Sequence, residues 1–249
     1  MLALVRGKYR ARLASDTADI ARAQSLRHRS FLWQRGIAKS PGHDADKFDS
    51  LCQHMLVEDR GSGALVCCYR LMSFDATQSL ATSYAAQVYG LAALDAFPGA
   101  KLELGRFCLD PDWHDPDILR LAWGAMAQIV DAERVSLLLG CSSFEGADWL
   151  PHAKALALLR SHFAPNAWMP LQKAPEVFSY AEALRDTPVD LRDALQSLPS
   201  LLRTYLAMGG WVSDHAVIDR QLDTLHVFTA VEIAKIPPAR ARALRAIAE

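Results

Sequence analysis

The chain has 249 residues, 51% of them hydrophobic and 22% charged, with a formal net charge of −1. That composition supports a soluble core of one large or two small domains and supplies no global basic field for nucleic acid. No apolar run approaches the ~18 residues of a membrane span, and "MLALVRGKYRARL" is too short and, after Val5, too basic for a secretory apolar region.

"YRARLA" opens with a short strand. "DTADIARAQSLRHRSFLWQRG" then reads as a helix capped by Asp16 or Thr17, with Ile20, Ala23 or Gln24, Arg27 and Phe31 at helical spacing. The polar stretch "IAKSPGHDADKFDS" is long enough to be a functional loop. "QHMLVED" and "ALVCCYRLMSF" flank the Gly-bearing turn "RGSG" and form an antiparallel hairpin. "LAALDAF" is a short helix. The strand "LELGRFC", the helix "DPDILRLAWGAMAQIVDAE", the strand "SLLLGCSS" and a helix across "PHAKALALLRSHF" follow.

In the last third, "VDLRDALQSLPSLLRTYLAMGG" reads as a helix stopped by Gly209 and Gly210. Two strands lie in "WVSDHAVIDRQLDTLHVFTAVE", and "PPARARALRAIAE" is a final helix begun by Pro. The order predicts an α+β fold with a mixed central sheet flanked by helices. No Pro/Ser linker interrupts the chain. One domain is expected over 1–249, a core to about 185 with an extension from about 186 packed on the same sheet. The five cysteines lack CxxC spacing and read as buried, reduced thiols of a cytoplasmic protein.

Glu103 and Arg106 interrupt the otherwise apolar "LELGRFC". Burying such charges costs several kcal/mol each unless they are paired or hydrogen-bonded. In a regular strand the two would point to opposite faces. Taken alone, they read as a structural ion pair with Arg70 or Asp46.

The wider pattern adds a second reading. Arg27 and Phe31 lie one helical turn apart, Trp33 follows, Asp46 and Asp49 sit in the polar loop, and Arg70 ends the second hairpin strand. The order Arg…Phe…Trp, Asp-x-x-Asp, Arg-Leu, Glu-x-x-Arg-Phe is similar to the signature of the acyl-homoserine-lactone (autoinducer) synthases. These share the GNAT acyltransferase fold with the bacterial ornithine-lipid N-acyltransferases, often labelled hemolysin-like. "DADKFDSLCQHMLVED", "LELGRFCLDPDWHDPDILRLAW", "LLLGCSSFEGAD", "KAPEV" and "LLRTYLAMGGWVSDHAVIDRQLDTLHVF" resemble the second group, from about Arg27 to the end.

This resemblance implies transfer of a 3-hydroxyacyl group from acyl carrier protein to the α-amine of L-ornithine, giving lyso-ornithine lipid. It also implies a bulge in the "LELGRFC" strand, which Gly105 would tolerate and which would turn Glu103 to the cleft as general base. A backbone N–H near Phe107 or Cys108 would hold the oxyanion. Arg27, Phe31, Trp33, Asp46, Asp49, Arg70 and Arg106 would form the acceptor pocket, since ornithine needs partners of both signs. The rival for that loop is a solvated acidic segment cross-linked to the first helix by its arginines.

The loop "DPDWHDPDIL" has no glycine for a diphosphate cradle, and Asp115 and Asp117 stand where the anion would sit. A carrier-protein donor, bringing phosphopantetheine with a single phosphate, fits that loop, with Arg120, Lys154 and Arg160 as candidate docking cations. No cofactor of the enzyme's own is implied. His215, Asp219 and His226 match no metal motif, and no metal is expected. Arg240, Arg242 and Arg245 give the last helix about three charges, enough for only weak peripheral contact with the anionic inner membrane. Other readings are an autoinducer synthase acting on S-adenosylmethionine, which would be shorter, and a non-catalytic module binding a carrier protein or membrane surface.

Overall fold

The computed structural model describes residues 3–247. The chain begins with β1 (Ala3–Arg6), β2 (Tyr9–Leu13), α1 (Thr17–His28), β3 (Gln53–Asp59) and β4 (Leu65–Phe74). Next come β5 (Tyr89–Gly90), α2 (Ala92–Asp95), β6 (Ala100–Leu109), α3 (Pro116–Ala132), β7 (Val135–Glu145) and α4 (Ala153–Leu159). The remainder holds β8 (Leu171–Gln172), β9 (Val177–Phe178), α5 (Tyr180–Ala183), α6 (Leu191–Ser197), α7 (Ser200–Ala207), β10 (Trp211–Asp219), β11 (Thr224–Glu232) and α8 (Pro238–Arg245). The α+β class expected from the element order holds. Among the described residues, no helix is long and apolar enough to cross a membrane.

Two compact units divide these elements. The first takes the chain up to Ser73, Leu102–Val135 and everything from Pro238 on; the second takes Phe74–Lys101 and Ser136–Pro237. In the first unit the strands lie in the order β1-β2-β3-β4-β6. The β1–β2 hairpin turns tightly at Gly7, whose φ of +55° favours glycine.

Side chains alternate across this sheet, as the two-residue repeat requires. Leu56, Cys68 and Cys108 face α1 and pack with its Ala23 and Leu26. Tyr69, next to Cys68, faces the other way, and its hydroxyl donates to the Ala122 carbonyl of α3 at 2.9 Å. Phe107 stacks on Tyr69 at 5.3 Å and lies 6.0 Å from Trp123 of α3. Burying such side chains stabilises by roughly 1.5–3 kcal/mol each. So α1 and α3 cover opposite faces, and whatever projects from β4 beside Cys68 on the α1 side shares that face with Arg70.

In the second unit the order is β7-β11-β10-β9. β11 pairs antiparallel with β7 from Thr224↔Glu145 to Glu232↔Leu137. α4, α6 and α7 pack on it through Leu156, Ala194, Leu198 and Leu202, against Val212 and Val227.

Besides the short elements β5, β8, β9 and α5 and the π-turn that ends the first helix at His28, three larger details differ from the sequence expectation. β1 is an additional strand, supplied by the apolar "ALV" that precedes Gly7. The helix expected over "VDLRDALQSLPSLLRTYLAMGG" is two, because Leu198 is forced extended (φ −72°, ψ 136°) ahead of Pro199. The extension from about 186 contributes α6, α7, β10 and β11 to the second unit, whereas α8 belongs to the first. The last two residues expected in that helix lie outside the described residues.

One ion network joins β2, β3 and α1. Glu58 accepts from Arg10 at 2.8 Å, from Arg12 at 2.9 Å and from Arg22 at 2.7 Å, and Arg12 also donates to Asp19 at 2.7 Å. Burial alone would raise the Glu58 carboxyl, but hydrogen bonds from Arg12, Arg10 and Arg22 outweigh it and hold it at about 2. A depressed carboxyl stabilises the fold above its unfolded pKa of about 4.3, and that stabilisation fades as pH falls toward 2. Glu58→Gln is therefore expected to lower Tm by about 5 °C or more at pH 7. Thermal melts of both proteins from pH 7 to pH 3 should show the gap narrowing below about pH 4; a gap independent of pH would refute the assignment.

Candidate functional site

The last turn of α1 carries Arg27, which is 0% exposed. A guanidinium keeps its proton in proteins, so its burial requires acceptors. The loop after α1 supplies them. Arg27 Nε donates to Asp44 Oδ2 at 3.0 Å and Nη2 to Asp49 Oδ1 at 2.9 Å, with a further bond from Nη2 to the Asp44 carbonyl. Its Nη1 is buried with no partner among the described residues.

Arg70, on the α1 side of β4, closes the loop from below. Its Nη1 donates to Asp46 Oδ1 at 2.5 Å and to Asp49 Oδ1 at 3.0 Å. Asp49 also accepts from Gln24 Nε2 at 2.9 Å and from the Asp46 N–H at 3.1 Å. Burial would raise the Asp49 carboxyl, but Gln24 and Arg27 outweigh it and hold it at about 2. Asp46 is likewise held low: burial opposes this, and Arg70 prevails. His54 donates through Nε2 to the Asp49 carbonyl at 2.9 Å, a bond to a pure acceptor that fixes the proton on that nitrogen. Burial lowers this imidazole and keeps it neutral.

β6 brings the remaining charges to this loop. Arg106 Nε donates to Asp44 Oδ2 at 3.1 Å, and its Nη2 lies 3.6 Å from Asp46 Oδ2. Glu103 is 5% exposed and close enough to Cys52 for its charge, with those of Asp46 and Asp49, to act on that thiol. Burial is the larger cause that pushes Cys52 up to about 11. Glu103 and Arg106, three positions apart, thus both reach the acidic-loop side, which a regular strand forbids.

Their shared side has a backbone cause. Arg106 has φ +50°, left-handed within a strand, whereas Gly105 does not enter that region. The irregularity expected at this strand is present, but its left-handed residue is the arginine rather than the glycine proposed to tolerate it. A left-handed non-glycine residue costs roughly 1–2 kcal/mol and persists where its surroundings fix it. Here the Arg106 side chain is tied to Asp44 and lies close to Asp46.

The structure therefore gathers Arg27, Asp46, Asp49, Arg70, Glu103 and Arg106 around one loop. Phe31 packs into the α1-side core beside Leu26 and Cys68. Trp33 ends a π-turn after α1 and is 42% exposed. Cys108 is buried with its Sγ 3.8 Å from the Leu26 carbonyl, and Phe107 faces α3. Arg120 pairs with Asp117 at 2.9 Å in the first unit, and Lys154 with Asp193 at 2.7 Å in the second. Arg160 donates to the carbonyls of Leu184, Arg185, Thr187 and Ala157. It is a cross-link inside the second unit.

Asp44, Gln24, His54 and Cys52 are not among the site residues that the sequence pattern singles out. For Asp44 a signal exists, since "DADKFD" places three acids in six residues. Gln24 and His54 act as neutral donors, which no charge pattern reveals.

A family model described as an acetyltransferase (GNAT) domain matches residues 26–124. The chain is 31% identical over 235 residues to the L-ornithine N(alpha)-acyltransferase of Rhodobacter capsulatus, covering 90% of each. With the L-ornithine N(alpha)-acyltransferase of Brucella abortus it shares 30% identity over 242 residues, 92% of this chain and 86% of that one. A solved N-acyl amino acid synthase from uncultured soil microbes superposes with a TM-score of 0.53 at 10% identity, covering 91% of this chain and 92% of that one. At that identity the likeness is one of fold.

The two loop acids differ in what their carboxylates still offer. Asp49 is saturated and buried, whereas the Asp46 side chain remains 25% exposed. Asp49→Asn is expected to lower Tm by several degrees at pH 7, with the loss shrinking as pH falls from about 4 toward 2, because the depressed carboxyl stabilises only above its unfolded pKa. Asp46→Asn should lower Tm less than Asp49→Asn does and raise the acceptor KM roughly 10-fold or more. Melting curves and acceptor kinetics of both variants decide this; the reverse pattern would exchange the two roles.

Proposed function

The chain belongs to the L-ornithine N(alpha)-acyltransferase family and is an N-acyltransferase, and we propose that it transfers a 3-hydroxyacyl group from acyl carrier protein to the α-amine of L-ornithine, forming lyso-ornithine lipid. The observation that carries this reading is Glu103 held beside a loop of arginines and aspartates that can meet a zwitterionic amino acid. An ornithine α-ammonium must lose a proton before it can attack. Glu103 takes that proton, directly or through a water. The free amine then forms the C–N bond at the thioester carbonyl, and the oxygen becomes an oxyanion that a backbone N–H at Phe107 or Cys108 stabilises. Collapse breaks the C–S bond; the second proton of the attacking nitrogen passes to the departing thiolate, whose modest basicity makes a dedicated acid unnecessary.

The acceptor carboxylate suits an arginine of the cluster, and Asp46 with its exposed edge suits an ammonium. The donor reading is supported at the start of α3. Asp115 accepts from the Asp117 N–H at 3.0 Å and from the Tyr9 hydroxyl at 3.0 Å, while Asp117 is paired with Arg6 and Arg120. The helix end is thus capped by its own carboxylates, which favours a donor with one phosphate over a diphosphate. Autoinducer synthesis from S-adenosylmethionine is less favoured, since the strong full-length relatives are ornithine acyltransferases.

Purified protein with 3-hydroxyacyl carrier protein and a panel of amines, read by mass spectrometry, should acylate ornithine in preference to lysine and to homoserine. Transfer to another amine alone would overturn the acceptor assignment. Glu103→Gln should stay folded and lose roughly 10²–10⁴ in kcat; near wild-type turnover would remove Glu103 as the base. The same acyl group should move faster from carrier protein than from CoA, and equal kcat/KM for the two at low salt would favour a CoA-dependent enzyme.

A further inference from the structure

Asp44 belongs to neither the base nor the acceptor-binding set, yet both its backbone and its carboxylate are tethered. Its N–H donates to the Gln24 carbonyl at 3.1 Å, its carbonyl accepts from Arg27, and its carboxylate accepts from Arg27 Nε at 3.0 Å. All three attachments lead to α1. The same Oδ2 then accepts from Arg106 Nε at 3.1 Å. Asp44 is therefore a rivet between the buried end of α1 and the one residue of β6 that is left-handed.

The conformation of Arg106 decides more than its own side chain. Its φ and ψ set the direction of the peptide plane that follows, and hence where the Phe107 N–H points. They also shift the strand's alternation by one residue, which is how Glu103 comes to the acidic-loop side. Arginine has no intrinsic preference for this geometry. Other left-handed non-glycine residues described are Arg134, just after α3, and Asp223, in the turn between β10 and β11. Those lie in connections where such a conformation ends an element. Arg106 lies inside a strand.

We propose that Asp44 is a positioning residue for acyl transfer: by gripping Arg106 it holds the left-handed turn of β6 that aims the Phe107 N–H at the developing oxyanion and Glu103 at the amine. This rests on the reaction proposed above, and it requires no contact between Asp44 and substrate. Its effect should fall on turnover and spare acceptor binding.

The test is a cycle built on glycine, which adopts the left-handed region without help. Asp44→Asn, checked for folding by circular dichroism, is expected to lower kcat about 10- to 100-fold with the ornithine KM within about twofold of wild type. Introduced into an Arg106→Gly background, the same substitution should cost less than about threefold, because the turn no longer depends on the grip. An equal loss in both backgrounds, or a loss confined to the ornithine KM, would overturn the proposal. If Arg106→Gly has no measurable turnover, the split between kcat and KM in the single variant decides. The wild-type protein scores the reaction separately: failure to acylate ornithine refutes that reading, and the variant-to-wild-type ratios are then taken with the amine it does accept.

Discussion

The burial of Arg27 is the constraint from which the site follows. A guanidinium cannot neutralise itself inside a protein, and an unpaired one costs several kcal/mol or more. By placing it in the last turn of α1 at 0% exposure, the chain commits the following loop to return with carboxylates. Asp44 and Asp49 answer it, and Asp49 draws in Arg70 from β4. Because Arg70 also holds Asp46, which lies between them, every acid of the run is tied to a buried arginine. An irregular segment thereby has the precision of a helix.

That fixed loop lets β6 depart from regular geometry. A strand bulge re-aims side chains, but it needs something outside the strand to choose its position. In "LELGRFC" the flexible glycine is adjacent to the turn and does not make it; Arg106 does, since it has a carboxylate to hold and Gly105 has none. The base candidate and the acceptor-side charges share one face of the sheet for this reason. Electrostatic pairing, more than backbone propensity, sets the geometry of the site.

Much of this was legible in the sequence. The hairpin of β3 and β4, the helices α1 and α3 and the tail strands β10 and β11 follow from two- and 3.6-residue repeats punctuated by Gly, Pro and Asp caps. Asp16 and Asp115 do cap α1 and α3. The spacing of Arg27, Asp46, Asp49, Arg70, Glu103 and Arg106 singled out residues that the fold brings to one loop. What the sequence hid were choices among neighbours. Asp44 and Asp46 are indistinguishable until the direction of the Arg27 and Arg106 side chains is known. Arg160 reads as a surface cation, and only the return of residues 184–187 toward α4 turns it into a brace. Pro199 was visible in the expected helix, but tertiary packing on both sides of the break kept an amphipathic pattern that concealed it.

The cysteines carry a consequence for how the chemistry can be watched. Cys67, Cys68 and Cys108 lie in the sheet interior, and burial pushes the Cys67 thiol well above its ordinary range; hydrogen bonding to Cys108, together with burial, does the same for Cys68. Cys52, shielded and flanked by carboxylates, is also held largely as the neutral thiol. Thiol reagents react with thiolates, so these side chains are poor targets at neutral pH. The leaving group of the proposed transfer is itself a thiol, released to solvent and far more reactive. A colorimetric disulfide reagent can thus follow turnover continuously, with the half-buried Cys141 of β7 as the background to subtract.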